Sequence, residues 1–193
     1  MKITVAEWAA SAAAPSQFPT TGLAEIAFVG RSNVGKSSLL NCLVNRKSLA
    51  RVANSPGKTR LVNFFLINNV FYMVDLPGYG YARVSQETKR KWARLVEQYL
   101  HGREALRLVV LLLDIRHRPT SDDRSMYEWL VYFQFPTVIV ATKADKIARG
   151  KWPVHLRQIR EELGLGSQGA VIPFSTQAAW GKEELWKVIT QYL

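Results

Sequence analysis

The chain has a single cysteine, Cys42, and three histidines, His101, His117 and His155, far apart in the sequence. One thiol makes no internal disulfide, and histidines at such separations do not suggest a metal cluster, so nothing asks for an oxidising compartment or a zinc framework. Cys42 falls on an apolar helical face and reads as a small hydrophobe. Long apolar runs are missing too. The longest, Leu108 to Leu113, stops at Asp114 and has the length of a strand, well short of the roughly 18 residues that span a bilayer. Lys2 and the Ala-rich stretch to Ala14 resemble a signal peptide in outline, but Glu7 interrupts them and leaves too short an apolar segment. The first 24 residues are expected to form an N-terminal arm leading into one domain over 25–193. Acidic residues are scarce: 15 Asp and Glu stand against 26 Lys and Arg, giving a formal net charge of +11 and a pI near 10.0. Such an excess points to a polyanionic partner, nucleic acid before an anionic membrane surface.

What is present is ordinary globular composition, 48% hydrophobic and 21% charged in 193 residues, enough for one well-buried core. Short β-branched or aromatic runs alternate with longer amphipathic segments, the pattern of an α/β domain with a mostly parallel sheet. Strands are predicted at about Glu25 to Val29, Val62 to Ile67, Phe71 to Val74, Arg107 to Leu113, Thr137 to Ala141 and Ala170 to Phe174. Asn68-Asn69 joins the second to the third, and both residues tolerate the positive φ of a tight hairpin, so that pair is expected to be antiparallel. Helices are predicted at about Lys36 to Asn45, Gln86 to Leu100, Ser121 to Gln134, Val154 to Leu163 and Lys182 to Leu193, with Pro153 suiting a start and Gly102 and Gly164 suiting ends. The expectation is six strands, one antiparallel, with helices on both faces: a P-loop NTPase of the small-GTPase fold.

Three motifs carry chemistry. Gly30-Arg31-Ser32-Asn33-Val34-Gly35-Lys36-Ser37 fits Gly-x-x-x-x-Gly-Lys-Ser between a predicted strand and a predicted helix. Its glycines let backbone N–H groups turn inward around phosphates, Lys36 reaches the β and γ phosphates, and the Ser37 hydroxyl binds Mg²⁺. Asp75-Leu76-Pro77-Gly78 follows the third strand; Asp75 holds the magnesium through water and Gly78 offers its N–H to the γ phosphate. Thr142-Lys143-Ala144-Asp145 follows the fifth strand and selects the base. Asp145 accepts from the guanine N1–H and 2-amino group, the Lys143 stem lies over the purine face, and adenine offers neither donor. This tetrapeptide also disfavours an ATP-using P-loop kinase. Two further elements complete the expected site. Gly57-Lys58-Thr59-Arg60-Leu61 places the Thr59 hydroxyl where it could join the magnesium shell, and Phe174-Ser175-Thr176 could present backbone to the guanine O6, with a helix cap as the alternative for Ser175. The catalytic candidates are thus Lys36, Thr59 and Gly78, and the metal candidates Ser37, Thr59 and Asp75.

In this order, over Gly30 to Gln177, the motifs resemble those of Era-like, translation-factor-class GTPases. The longer strings Phe28 to Leu39, Pro56 to Thr59 and Asp75 to Ala82 resemble the EngB family, and the likeness covers almost the whole chain. The resemblance implies a cytoplasmic bacterial GTPase needed for assembly of the large (50S) ribosomal subunit and linked to normal cell division and septation; a monomer is expected. One departure matters. Ras-like enzymes follow Asp-x-x-Gly with a glutamine that orients the attacking water, whereas this chain has Tyr79. Slow hydrolysis is therefore expected, with water positioned by backbone, a partner or an ion. Asn33 occupies the P-loop position that in several related GTPases helps coordinate potassium, which makes K⁺ a candidate second ion; Ser32 stands where proline is often found.

Positive charge gathers near the segments expected to respond to nucleotide. Arg46, Lys47, Arg51, Lys58 and Arg60 lie on the first loop with no acidic residue among them, Arg83, Lys89, Arg90, Lys91 and Arg94 follow the second, and Lys143, Lys146, Arg149, Lys151, Arg157 and Arg160 surround the base loop. Any one run reads as a solvated helix face; together with the net charge they read as an RNA-binding surface, and the resemblance implies that the RNA is ribosomal. The alternative is a membrane- or protein-associated division GTPase without direct RNA contact, although no lipidation signal or basic amphipathic helix supports the membrane version.

Overall fold

The computed structural model describes residues 1–50, 61–80, 85–166 and 169–193. Its strands are β1 (Ala6–Ala12), β2 (Ala24–Gly30), β3 (Val62–Ile67), β4 (Phe71–Asp75), β5 (Leu106–Asp114), β6 (Thr137–Thr142) and β7 (Val171–Pro173). Its helices are α1 (Lys36–Leu43), α2 (Gln86–Gly102), α3 (Ser121–Tyr132), α4 (Trp152–Glu162) and α5 (Lys182–Thr190). The sheet order is β1-β3-β4-β2-β5-β6-β7. β1 and β4 each pair antiparallel with β3, and the remaining neighbours pair parallel, so β3 alone runs against the others.

The α/β class and the single reversed strand match the sequence reading, but the sheet has seven strands, not six. The additional strand is β1, from the segment expected to be only an arm. Ala6–Ala12 carries no β-branched residue, so its intrinsic signal for a strand is weak. Tertiary pairing decides it: β1 adds to the open edge of β3, with a register irregularity between Trp8 and Ala10. Its start is tied down at the hairpin. The Asn68 carboxamide oxygen accepts from the Thr4 and Val5 amides at 2.8 and 3.1 Å. The hairpin is as predicted, with φ of 50° at Asn68 and 58° at Asn69 and the Val70 amide donating to Ile67 O at 2.9 Å, the type I′ pattern that matches strand twist.

β5 explains the two-faced core. Val109, Leu111 and Leu113 enter one cluster with Tyr99 of α2, Leu130 of α3 and Ile159 of α4. The intervening Leu108, Val110 and Leu112 enter the other with Leu39, Leu40 and Leu43 of α1 and Leu185, Trp186 and Ile189 of α5. A strand buried on both sides reads as an unbroken apolar run, and the period of two sends alternate residues to opposite faces. Cys42 is half-buried against the second cluster, and burial raises its thiol pKa. α3 is fixed at its start by a capping box between Thr120 and Asp123. The parallel strands β2, β4, β5 and β6 therefore end at one edge of the sheet, and the loops that leave this edge carry the motifs.

Candidate functional site

The P-loop joins β2 to α1. Asn33 sits at φ 61° and Gly35 at φ 105°, so the chain turns sharply before α1 begins at Lys36. Gly35 caps the helix with no side-chain bond, which leaves the first-turn amides of α1 and the positive end of its dipole available to an anion. Gly30 is needed for a different reason: a Cβ there would come within 2.8 Å of Leu112 O and 3.0 Å of Val34 Cγ1. Lys36 Nζ is paired with Asp75 Oδ1, the last residue of β4, and both side chains are buried. The Asp75 loop lies along the P-loop by backbone bonds. Leu76 N donates to Phe28 O at 3.1 Å, Tyr79 N to Gly30 O at 3.3 Å, and Ser32 N to Tyr79 O at 2.9 Å. A Cβ at Gly78 would stand 3.2 Å from Ser32 N, so the last residue of this motif must also be small.

The base loops meet at the same edge. Thr142 Oγ1 lies 2.6 Å from Val34 O and 3.0 Å from Leu113 O, tying β6 to the P-loop. Lys143 adopts φ 60°, its ammonium donates to Asn33 O at 2.7 Å, and Asp114 Oδ2 pairs with it at 2.9 Å. This holds the lysine stem beside the loop that cradles phosphates. Asp145 Oδ1 accepts from Ser175 Oγ at 2.7 Å, while Lys146 lies 3.3 Å from Oδ2. Burial pushes the Asp145 carboxyl up, but the Ser175 and Lys146 hydrogen bonds outweigh it and the net shift is downward. The group is an anion poised to accept. Phe174 N is committed to Ala141 O at 2.8 Å and Ser175 N to Trp180 O at 3.1 Å, so of Phe174 to Thr176 the amide left to donate, among the described residues, is that of Thr176. The capping alternative also has substance, because Ala178 N donates to Ser175 Oγ at 3.1 Å.

Asp114 and Tyr79 organise the space between these loops. Burial raises the Asp114 pKa, but hydrogen bonds from Arg116 and Lys143 more than reverse this and bring it to about 2. Arg116 holds it by Nε and NH2 at 2.9 and 2.7 Å. Tyr79 donates from its hydroxyl to Asp123 Oδ1 at 2.9 Å, and Asp123 Oδ2 takes the Thr120 amide and hydroxyl, each at 2.8 Å. Burial, then the Asp123 charge, keep the phenol pKa far above its ordinary value. The residue in the glutamine position is thus a neutral donor anchored to the start of α3. Beside it a cleft of about 220 Å³ opens between Arg31 to Val34 and Arg116 to Pro119.

Comparison with known proteins accords with this geometry. Residues 25–143 match the family model described as "50S ribosome-binding GTPase". The chain is 51% identical over 193 residues to the probable GTP-binding protein EngB of Geobacillus sp. (strain WCH70), covering 100% of both. It is 54% identical over 189 residues to that of Clostridium kluyveri, covering 98% of this chain and 96% of the relative. The chain belongs to the EngB family of GTP-binding proteins. A crystal structure of a probable EngB superposes with a TM-score of 0.75 at 25% identity, covering 88% of this chain and 98% of that one. Aquifex aeolicus Era shares the fold at a TM-score of 0.70 and 24% identity, over 89% of this chain and 57% of its own.

As an EngB-family GTP hydrolase, the chain brings Gly30 to Ser37, Asp75 to Gly78, Thr142 to Asp145 and Phe174 to Thr176 together at one sheet edge. Gly57, Lys58, Thr59 and Arg60 lie outside the described residues, as do Arg51 and Arg83; Leu61 is described and partly buried. Sequence reasoning missed four residues. Asp114 entered only as the residue that stops an apolar run and Asp123 carried no motif, and their partners, Lys143 and Tyr79, are 29 and 44 residues away. Trp152 and Trp180 carried no motif. Yet Trp152 Nε1 donates to Ala144 O at 3.2 Å, the two rings lie 5.3 Å apart, and Arg149 stacks 4.4 Å over Trp180. Together they brace both base loops from behind.

Proposed function

We propose that this chain is a GTP-controlled switch whose output is docking on ribosomal RNA in large-subunit (50S) precursors in the cytoplasm. It would act as a monomer, with 25–193 as the G domain and 1–24 as its arm. The observation that carries the reading is the backbone ladder between Asp75–Gly80 and the P-loop. Tyr79, held by Ser32 N and Gly30 O, would rearrange as the neighbouring Gly78 turns its amide toward a γ phosphate, which would link nucleotide state to loop position. GTP would be bound by Gly30 to Ser37, Gly57 to Leu61, Asp75 to Gly78, Thr142 to Asp145 and Phe174 to Thr176. Ser37 and Asp75 supply hard oxygen donors beside Lys36, a set that fits Mg²⁺, with Thr59 joining it. Bound magnesium would neutralise charge on the phosphate oxygens. Lys36 and Gly78 would bind the transferred phosphate, and Tyr79, committed to Asp123, would leave unassisted turnover at about 10⁻⁴ to 10⁻³ s⁻¹, as in unassisted Ras. K⁺ held beside Asn33 is the candidate accelerator; single-turnover assays in K⁺ and Na⁺ on parent and Asn33→Ala test it, and equal rates in all four reject it.

The net charge of +11 supports a polyanionic partner, and the family model's description supports a 50S particle as that partner. Arg90 and Arg94, exposed on α2 directly after the second motif, would carry docking. The test is co-sedimentation with large-subunit precursors in GDP and in a non-hydrolysable GTP analogue across a salt series. The analogue should bind more tightly, with log affinity falling by roughly 0.7 to 0.9 per neutralised phosphate per log unit of salt. Arg90→Glu/Arg94→Glu should weaken the complex and spare nucleotide binding. Equal particle affinity in both states rejects the switch. The link to division and septation is then a consequence of ribosome supply; a direct division role, on protein or membrane, predicts liposome or division-protein binding that survives loss of particle binding. No helix of the described residues is long and apolar enough to cross a membrane.

A further inference from the structure

The end of the molecule opposite the P-loop carries an apolar surface that the GTPase chemistry does not use. α2 and α3 both run away from the motif edge, and their last turns meet there. Val131, Tyr132 and Phe133 are 53%, 79% and 39% exposed, a consecutive run of large apolar side chains facing water. The rings form one cluster. His101, in the last turn of α2, lies 4.1 Å from Phe133 and 5.0 Å from Trp129 between ring centroids, both edge-on, and Tyr132 stands 4.8 Å from Phe133. Contiguous exposed rings of this kind mark a binding surface rather than scattered surface residues.

Charge tells which partner. The whole chain is strongly basic, yet along 97–104, the end of α2 and the residues after it, and 128–136, the end of α3 and the residues after it, the exposed charged side chains are Glu97, Glu104 and Glu128. Glu97 stands one turn before His101, and Glu128 one turn before Tyr132, so each shares its ring's helix face. The single arginine in these stretches, Arg103, is turned inward to Glu25 and donates to Pro19 O at 2.7 Å. Among the described residues none of the three glutamates pairs with a base. Ring faces and carboxylates together attract guanidinium and ammonium groups, and they repel a phosphate backbone. The geometry points to a docking surface for an arginine- or lysine-rich polypeptide segment, at the pole away from GTP. It goes beyond the RNA reading and stands whether or not that reading holds.

The probe is an octa-arginine peptide titrated into the full chain, with the Trp129 indole N–H resonance as local reporter. The peptide should shift that resonance. Tyr132→Ser/Phe133→Ser and, separately, Glu97→Gln/Glu104→Gln/Glu128→Gln should each weaken binding about fivefold or more, while Tyr132→Phe stays within about twofold. GTP affinity should be unchanged throughout. All these side chains are exposed, and the glutamine set is isosteric, so it tests the surface even if the double serine variant melts early. Peptide binding that survives both multiple variants overturns the proposal. So does oligouridylate that binds here and tightens in the glutamine variant, which would make the face a nucleic-acid platform. Sedimentation showing a dimer that the serine variant dissolves would also overturn it, because the face would then take a second copy of this chain.

Discussion

The two ends of the sheet use their residues in opposite ways. At the end where β2, β4, β5 and β6 finish, loops bond to loops: Thr142 to Val34, Lys143 to Asn33, Ser32 to Tyr79, Ser175 to Asp145. Left-handed residues such as Asn33, Gly35 and Lys143 sit within a few bonds of each other, and glycines there touch backbone. At the other end, helix ends pack through rings, and exposed side chains have water on one side. The difference teaches where substitution is costly. Chemistry on phosphate and base needs donors fixed to a fraction of an ångström, so that end has little slack, whereas a docking face needs only shape and charge.

Asp145→Asn should produce the largest break. Replacing the anion proposed to accept two guanine hydrogen bonds by an amide should cost roughly 10² to 10⁴-fold in GTP affinity, with xanthosine triphosphate gained. Competition binding of GTP, XTP and ATP measures it, and parent chain with equal ATP and GTP affinity would contradict the guanine assignment. Gly30→Ala comes next. Its Cβ would meet the Leu112 carbonyl at 2.8 Å, and overpacking of this kind costs about 1 to 3 kcal/mol. Urea unfolding should show the loss, whereas Tyr132→Ser at the opposite end should stay within about 0.5 kcal/mol.

The sequence made the motif end legible because its residues are held by local rules. A P-loop needs its glycines and lysine at fixed spacing, and Asn68-Asn69 announces a hairpin by its backbone preference. All five helices were placed to within a few residues. β1 was not legible, since an Ala-rich edge strand is decided by the partner that awaits it. Nor were the clamps on Lys143 and Tyr79, because Asp114 and Asp123 meet them only after β5 and α3 are in place. The Trp152–Trp180 brace is a packing event between segments 28 residues apart, and no periodicity foreshadows it.

Asp114 sharpens the comparison through pH. Its carboxyl is held at about 2 against an ordinary 3.8, so the folded state favours the ionised form. That stability is complete above the unfolded pKa and is lost as pH falls from about 4 through 2; with the pair partly open to water, solvent screening holds it to about 1 kcal/mol. Denaturant midpoints at pH 6 and pH 2.5 should fall less in Asp114→Asn than in the parent; an equal fall would show that the clamp is not formed. Tyr79→Phe should cost about 1 to 3 kcal/mol, because Asp123 is buried and its Oδ1 loses the phenol donor while Thr120 holds only Oδ2. Thermal unfolding checks it, and a hydrolysis rate reduced more than tenfold would give the phenol a catalytic part it lacks here.

Hydrogen exchange of the full chain with and without GTP tests the division between the two ends most directly. Amides of 30–39, 75–80, 142–146 and 174–178 should gain protection on binding, while those of 97–104 and 128–136 exchange at the same rate in both states. Protection absent from 142–146 and 174–178, or as large at the aromatic end as at the P-loop, would contradict the account.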